Sequence, residues 1–183
     1  MFWRNARSRR KSSALSIWGR QVASLLAVAL LCCAGLRAED KLKELQERFD
    51  REDHAGKKVR ELEKLAPAQF EAATDAANSG NYVEVGLIFE KYRDNVRAAF
   101  ELLKKQVSDA DRHPGSYRQL ELGVRQGIRQ VEDMLLVSPD AVQPPLRIVR
   151  KDLLDIDDVL INLLFPRHTP EPVKAPPAPE TKS

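Results

Sequence analysis

The chain holds two cysteines, Cys32 and Cys33, and both lie within its first 38 residues. Everything after them is without thiols, which excludes disulfides, thiolate zinc sites, thiol nucleophiles and haem attachment through cysteine from that region. Histidine is scarce as well: His54, His113 and His168 are far apart, and none has a second ligand at His-x-x-x-His spacing, so no metal or cofactor is implied. There is no G-x-S-x-G elbow, no glycine loop of the phosphate-cradling type and no dinucleotide fingerprint. The composition therefore favours a non-enzyme, with no catalytic, cofactor-binding or metal-binding residue to name.

Acidic residues are absent from positions 1–38, which carry seven Lys or Arg and one apolar run, Val22 to Leu36. Six of the cations precede that run and only Arg37 follows it. Fifteen apolar residues fall short of the roughly 20 that a spanning helix needs, so the segment reads as a cleaved signal peptide (1–38) and not a permanent anchor. Ala38 is the best cleavage point, with Ala34 and Gly35 as alternatives. Ser8-Arg9-Arg10-Lys11 is similar to a twin-arginine signal, but Ser12 and Ser13 stand where an apolar pair belongs. Leu31 before Cys32 argues against lipidation. The expected location is periplasmic or secreted, or membrane-anchored if the segment stays uncleaved.

Processing also changes the charge. Taking seven cations from 30 leaves 23 against 27 acidic residues, a net of −4, so the basic balance of the whole chain belongs to the signal and predicts no nucleic-acid partner.

No stretch alternates apolar and polar residues as a half-buried strand would, and the apolar residues recur at helical spacing. The fold class is all-α: an antiparallel bundle of four to five helices over 39–166, followed by a disordered, proline-rich tail over 167–183. A first helix from Asp40 buries Leu42, Leu45 and Phe49 and breaks near Asp53, which caps a short second helix carrying Val59, Leu62 and Leu65. Pro67 suits the first turn of a separate element, 66–79. Gly80 takes a left-handed stop and Asn81 caps the next helix. That helix runs to about Lys105 with Val85, Phe89, Tyr92, Val96, Ala99 and Leu103 on a heptad-like, coiled-coil stripe, and Arg97–Glu101 and Glu101–Lys105 as pairs.

A loop spans Ser108 to Gly115. The helix Ser116 to Val137 then aligns Tyr117, Leu120, Val124, Val131 and Leu135, with Gly123 and Gly127 four apart beside that stripe, where small residues let another backbone approach. The last helix starts between Ala141 and Pro145, buries Leu146, Val149, Leu153, Ile156, Leu160 and Leu163, and stops at Pro166. Ile148, Leu154, Val159 and Ile161 lie off its seam. They mark either a helix packed on two sides or an apolar partner face.

Two stretches carry resemblances. "ATDAANSGNYVEVGLIFEKY" (73–92) is similar to a tetratricopeptide hairpin in Gly80-x-Tyr82 and Phe89, although no second copy follows at the required period. "HPGSYRQLELGVRQGIRQVEDML" (113–135) and "VRKDLLDIDDVLINLLFPR" (149–167) resemble segments of an uncharacterised family of exported all-helical bacterial proteins. That resemblance implies no catalytic residues.

Two surfaces remain as functional candidates. Arg118, Arg125 and Arg129 fall within an arc of about 40° opposite the apolar stripe, suited to lipid head groups or polyanionic glycan, with Glu121 and Glu132 bordering and partly neutralising them. Asp152, Asp155, Asp157 and Asp158 fan around the last helix instead of converging, and Lys151 pairs with Asp155. The reading is a non-catalytic binding or scaffolding protein of the bacterial envelope, with an envelope protein or an anionic component as partner. The alternative is a ligand carrier or hydrolase whose site is assembled from dispersed carboxylates and arginines. A third reading is a subunit that completes its fold in a homo-oligomer.

Overall fold

The computed structural model describes residues 39–107, 110 and 114–166. The segments read as signal peptide and tail, together with His113 and His168, lie outside the described residues. The chain divides into two compact units, Met1–Glu44 and Leu45–Ser183. Of the first, residues 39–44 are helical. The second contains the rest of that helix, α1 (39–51), then α2 (Ala55–Asn78), α3 (Tyr82–Gln106), α4 (Pro114–Val137), a 3₁₀ turn (Asp140–Val142) and α5 (Gln143–Leu164). There is no strand among the described residues, and none of their helices is long and apolar enough to cross a membrane. The protein is an all-α helical bundle.

Two helical hairpins, α2–α3 and α4–α5, build it. Gly80 at φ +76° turns the first, and Asn81 caps α3 reciprocally: Glu84 N–H donates to Asn81 Oδ1, and Asn81 Nδ2 donates to Glu84 Oε2 at 2.6 Å. In the second, Gln143 Nε2 donates to the carbonyls of Leu135 and Ser138, tying the end of α4 to the start of α5. Within each hairpin the helices are antiparallel. Between hairpins the neighbours are parallel: α2 beside α4, with Gly56 against Ser116 and Glu63 against Gln119, and α3 beside α5, with Gly86 near Pro145 and Arg93 near Asp152. Helices α3 and α4 meet across the short diagonal, whereas α2 and α5 share no contact.

The core is the stripe that the heptad-like spacing marks. Val85, Phe89, Tyr92, Val96, Ala99 and Leu103 on α3 are all buried, as are Tyr117, Leu120, Val124 and Val131 on α4, with Leu135 half-buried at its edge. Phe70 packs on the rings of Phe89 and Tyr92, with centroids 6.1 and 4.9 Å apart. Interdigitated apolar surface of this kind is the dominant stabilising contribution in a chain segment without disulfides.

Local expectations need several corrections. Pro67 starts no new helix, because α2 runs through it without a break. Proline removes one intrahelical bond and strains the preceding turn, but the buried stripe Leu62, Leu65, Ala66, Gln69, Phe70 continues across it, and Pro67 itself faces solvent. Asp53 does not cap α2; Gln106, at the far end of α3, accepts from Ala55 N–H at 2.8 Å and donates to the Asp53 carbonyl. Leu42 and Leu45 are half-buried, while Phe49 is fully buried. Helix α4 begins two residues early because Pro114 suits a first helical turn. On α5 the buried leucine of the last turn is Leu164, with Leu163 half-buried. Arg97 pairs with Asp152 and not with Glu101, which takes Lys104.

Candidate functional site

Helix α4 carries both candidate surfaces, one on each flank. Successive residues turn by about 100°, which places Arg118, Arg125 and Arg129 toward α5 and Gln119, Gly123 and Gln126 toward α2.

On the α5 flank Arg125 is engaged. Its Nε pairs with Glu121 one turn earlier and lies 3.6 Å from Asp157 Oδ1 on α5. Both carboxylates are nearly buried, and Asp157 Oδ1 has no hydrogen-bond partner. Burial raises the Asp157 carboxyl above its ordinary value; the Arg125 charge opposes that shift and Glu121 adds to it. Two turns toward the other end, Arg150 of α5 binds Glu132 of α4 through Nε at 2.7 Å and Nη2 at 2.6 Å. Arg147 stands beyond it, hydrogen-bonded to Gln143. Arg118, Arg129 and Arg147 form no ion pair among the described residues. With α4 and α5 antiparallel, the three span about 26 Å along the bundle at 1.5 Å per residue.

The row Arg118–Arg125–Arg129 is thus brought together on one face and extended by two arginines of α5, which helical periodicity in α4 alone does not reveal. The four apolar residues set apart on α5 are not brought together. Ile148 and Val159 are exposed on its α3 side, whereas Leu154 and Ile161 are half-buried on its α4 side. Helix α5 does pack on two sides, against α3 and α4. The aspartates fan as their spacing requires: Asp152 accepts from Arg93 and Arg97 of α3, Asp155 from Lys151 at 2.7 Å, and Asp157 turns to α4. Among the described residues no group of three or more His, Cys, Asp and Glu is arranged to hold a metal ion, and His54 lies exposed in the bend after α1.

On the α2 flank the glycine pair has an explanation. A Cβ on Gly127 would overlap Tyr92 Cε1 and stand 2.6 Å from the Tyr92 hydroxyl oxygen, so Gly127 exists to admit the Tyr92 ring. The close approach is made by a side chain of α3 and not by a second backbone. The Tyr92 hydroxyl donates to the Gly123 carbonyl at 2.8 Å, which satisfies a phenol that burial holds well above its ordinary pKa. Gly123 itself meets nothing within 4 Å of its missing Cβ. Beside it lies a crevice of about 110 Å³ between α2 and α4, with Val59, Leu62, Ala66 and Leu120 as its apolar wall and Glu63, Gln119 and Gln126 at its rim. Sequence reasoning marked the glycines by their spacing but had no signal for Tyr92 as the group that uses one of them.

The chain matches no protein-family model, and no curated protein or solved structure is significantly similar to it.

Proposed function

We propose that this chain is an exported, non-catalytic binding or scaffolding protein of the bacterial cell envelope, and that its α4/α5 face receives an anionic component there. The observation that carries this reading is the alignment of Arg118, Arg129 and Arg147 along one face with no ion-pair partner among the described residues. Guanidinium groups suit phosphate and carboxylate oxygens because their planar donors match two acceptors at once. Arg125 and Arg150, held by Glu121, Asp157 and Glu132, brace the face without adding much free charge. The export signal read over 1–38 supports the compartment.

Vesicle co-sedimentation tests the reading. The protein isolated from cells expressing the full chain should bind phosphatidylglycerol vesicles at low salt, bind phosphatidylcholine vesicles little, and be released as ionic strength rises toward 1 M, where the screening length falls to about 3 Å. A parallel arm with a soluble polyanionic glycan separates lipid from glycan as the source of the anion. No binding in either arm refutes the proposal.

The alternative, a hydrolase or ligand carrier, draws support from one feature: Glu121 and Asp157 converge on Arg125, and burial raises Asp157. Hydrolysis of chromogenic ester or glycoside substrates that is abolished by Asp157→Asn would favour it.

A further inference from the structure

Helix α4 carries a second stripe outside the core. Arg118, Leu122, Arg125, Arg129 and Leu136 recur at helical spacing, and at about 100° per residue they fall within an arc of about 60°. The stripe is not made of arginine alone. Leu122, 64% exposed, stands one turn from both Arg118 and Arg125, and Leu136, 85% exposed, stands two turns beyond Arg129. Single exposed leucines are ordinary on a protein surface, but two on the line that holds the free arginines change what that line can bind.

That pattern separates the two anions the arginines admit. A polyanionic glycan is hydrated throughout and offers a leucine nothing in exchange for its contact with water. An anionic bilayer has phosphates at its surface and acyl chains immediately beneath, so guanidinium groups and leucines of one stripe are satisfied together. Arginine stems are long enough to keep their heads at phosphate level while the shorter leucines sink between them. One end of the stripe shows the combination in a single place. Leu135 and Leu136 line an open hollow of about 490 Å³ together with Gln143, Arg147 and Arg150, so polar donors and an apolar wall surround room for one lipid head group. Glu121 and Glu132 are already held by Arg125 and Arg150. The exposed acids bordering the stripe, Asp133 on α4 and Asp158 on α5, are outnumbered by Arg118, Arg129 and Arg147.

We propose that the α4/α5 face is a bilayer-contact surface, with α4 lying along the membrane. Arg118, Arg129 and Arg147 take the phosphates of anionic lipids, and Leu122 and Leu136 enter the acyl region between them. The inference rests on the anionic-partner reading and names that partner as a lipid surface.

Co-sedimentation with phosphatidylglycerol vesicles, set beside binding to a soluble polyanionic glycan, is the test, on the protein isolated from cells expressing the full chain. Leu122→Ala and Leu136→Ala combined keep every charge and put the best helix former at two exposed positions. The pair should weaken vesicle binding at least about tenfold at fixed low salt, with the circular dichroism spectrum unchanged. Leu122→Trp works in the opposite sense: vesicle binding should tighten, and the emission it adds to that of Trp3 and Trp18 should move to shorter wavelength with vesicles and not with the glycan. Wild type that binds the glycan but not the vesicles, vesicle binding that the alanine pair leaves unchanged, or an added emission that vesicles do not move overturns the lipid contact while the anionic-partner reading stands. Binding to neither overturns both.

Discussion

The two flanks of α4 are built from the same helix turns yet do opposite things with side chains. Toward α5 they are crowded with charge: Arg125 reaches Asp157, and Glu132 holds Arg150 across the groove. Toward α2 they are nearly neutral, with glutamines and two glycines. The charged flank is joined by ion pairs that are only partly withdrawn from water, a weak contribution to stability. The neutral flank holds Tyr92, whose buried ring and satisfied hydroxyl lock α3 against α4. Stability is therefore concentrated on one side of α4 and free charge on the other.

Exchanging residues four apart gives the sharpest test of that contrast. Gly127→Ala should lose about 2–3 kcal/mol in urea or thermal unfolding, because the new Cβ would collide with Tyr92 Cε1 and stand 2.7 Å from Cζ. Next in size, Tyr92→Phe should cost about 1 kcal/mol through the lost hydrogen bond to Gly123, with the ring's packing kept. Gly123→Ala should reverse the sign and stabilise by up to about 1 kcal/mol, since open space awaits its Cβ and alanine is the better helix former. Equal effects at the two glycines would break the comparison.

On the charged flank the effects are smaller and depend on pH. Asp157 has its carboxyl raised in the folded state by burial, so the folded protein binds its proton more tightly than the unfolded chain does. Its contribution is therefore fully present below the unfolded value of about 3.8 and is lost as pH rises through the higher folded value. Asp157→Asn should match the wild type in melting temperature near pH 3.5 and gain on it toward pH 7. A difference that shrinks as pH rises would contradict the desolvation account.

How much of this was legible beforehand follows from the range of each interaction. The seams of α3 and α4, the Gly80-Asn81 turn and the fanning aspartates are local matters of helical period and capping, and they stand in the structure as the residues imply. Pro67 misleads because local propensity argues for a break while burial on both sides of it argues for continuity, and burial outweighs the local preference. The Gln106 cap on α2 and the Gln46–Asn95 amide pair, bonded in both directions at 2.9 and 3.2 Å, join residues about fifty apart and leave no trace in periodicity. The same holds for the arginine face. Its α4 row is an arc that any helical wheel shows, but the arrival of Arg147 and Arg150 depends on α5 being α4's neighbour. Hairpin connectivity implies that adjacency; the parallel pairing of one hairpin with the other is not implied by it.

Binding measured on one combined variant beside the wild type tests the division of labour most directly. With Arg118→Gln, Arg129→Gln and Arg147→Gln combined, affinity for phosphatidylglycerol vesicles should fall at least about tenfold and lose most of its salt dependence, while circular dichroism and the unfolding midpoint stay close to those of the wild type. Vesicle binding that survives loss of the three arginines would contradict the central claim that this face is where an anionic partner meets the protein.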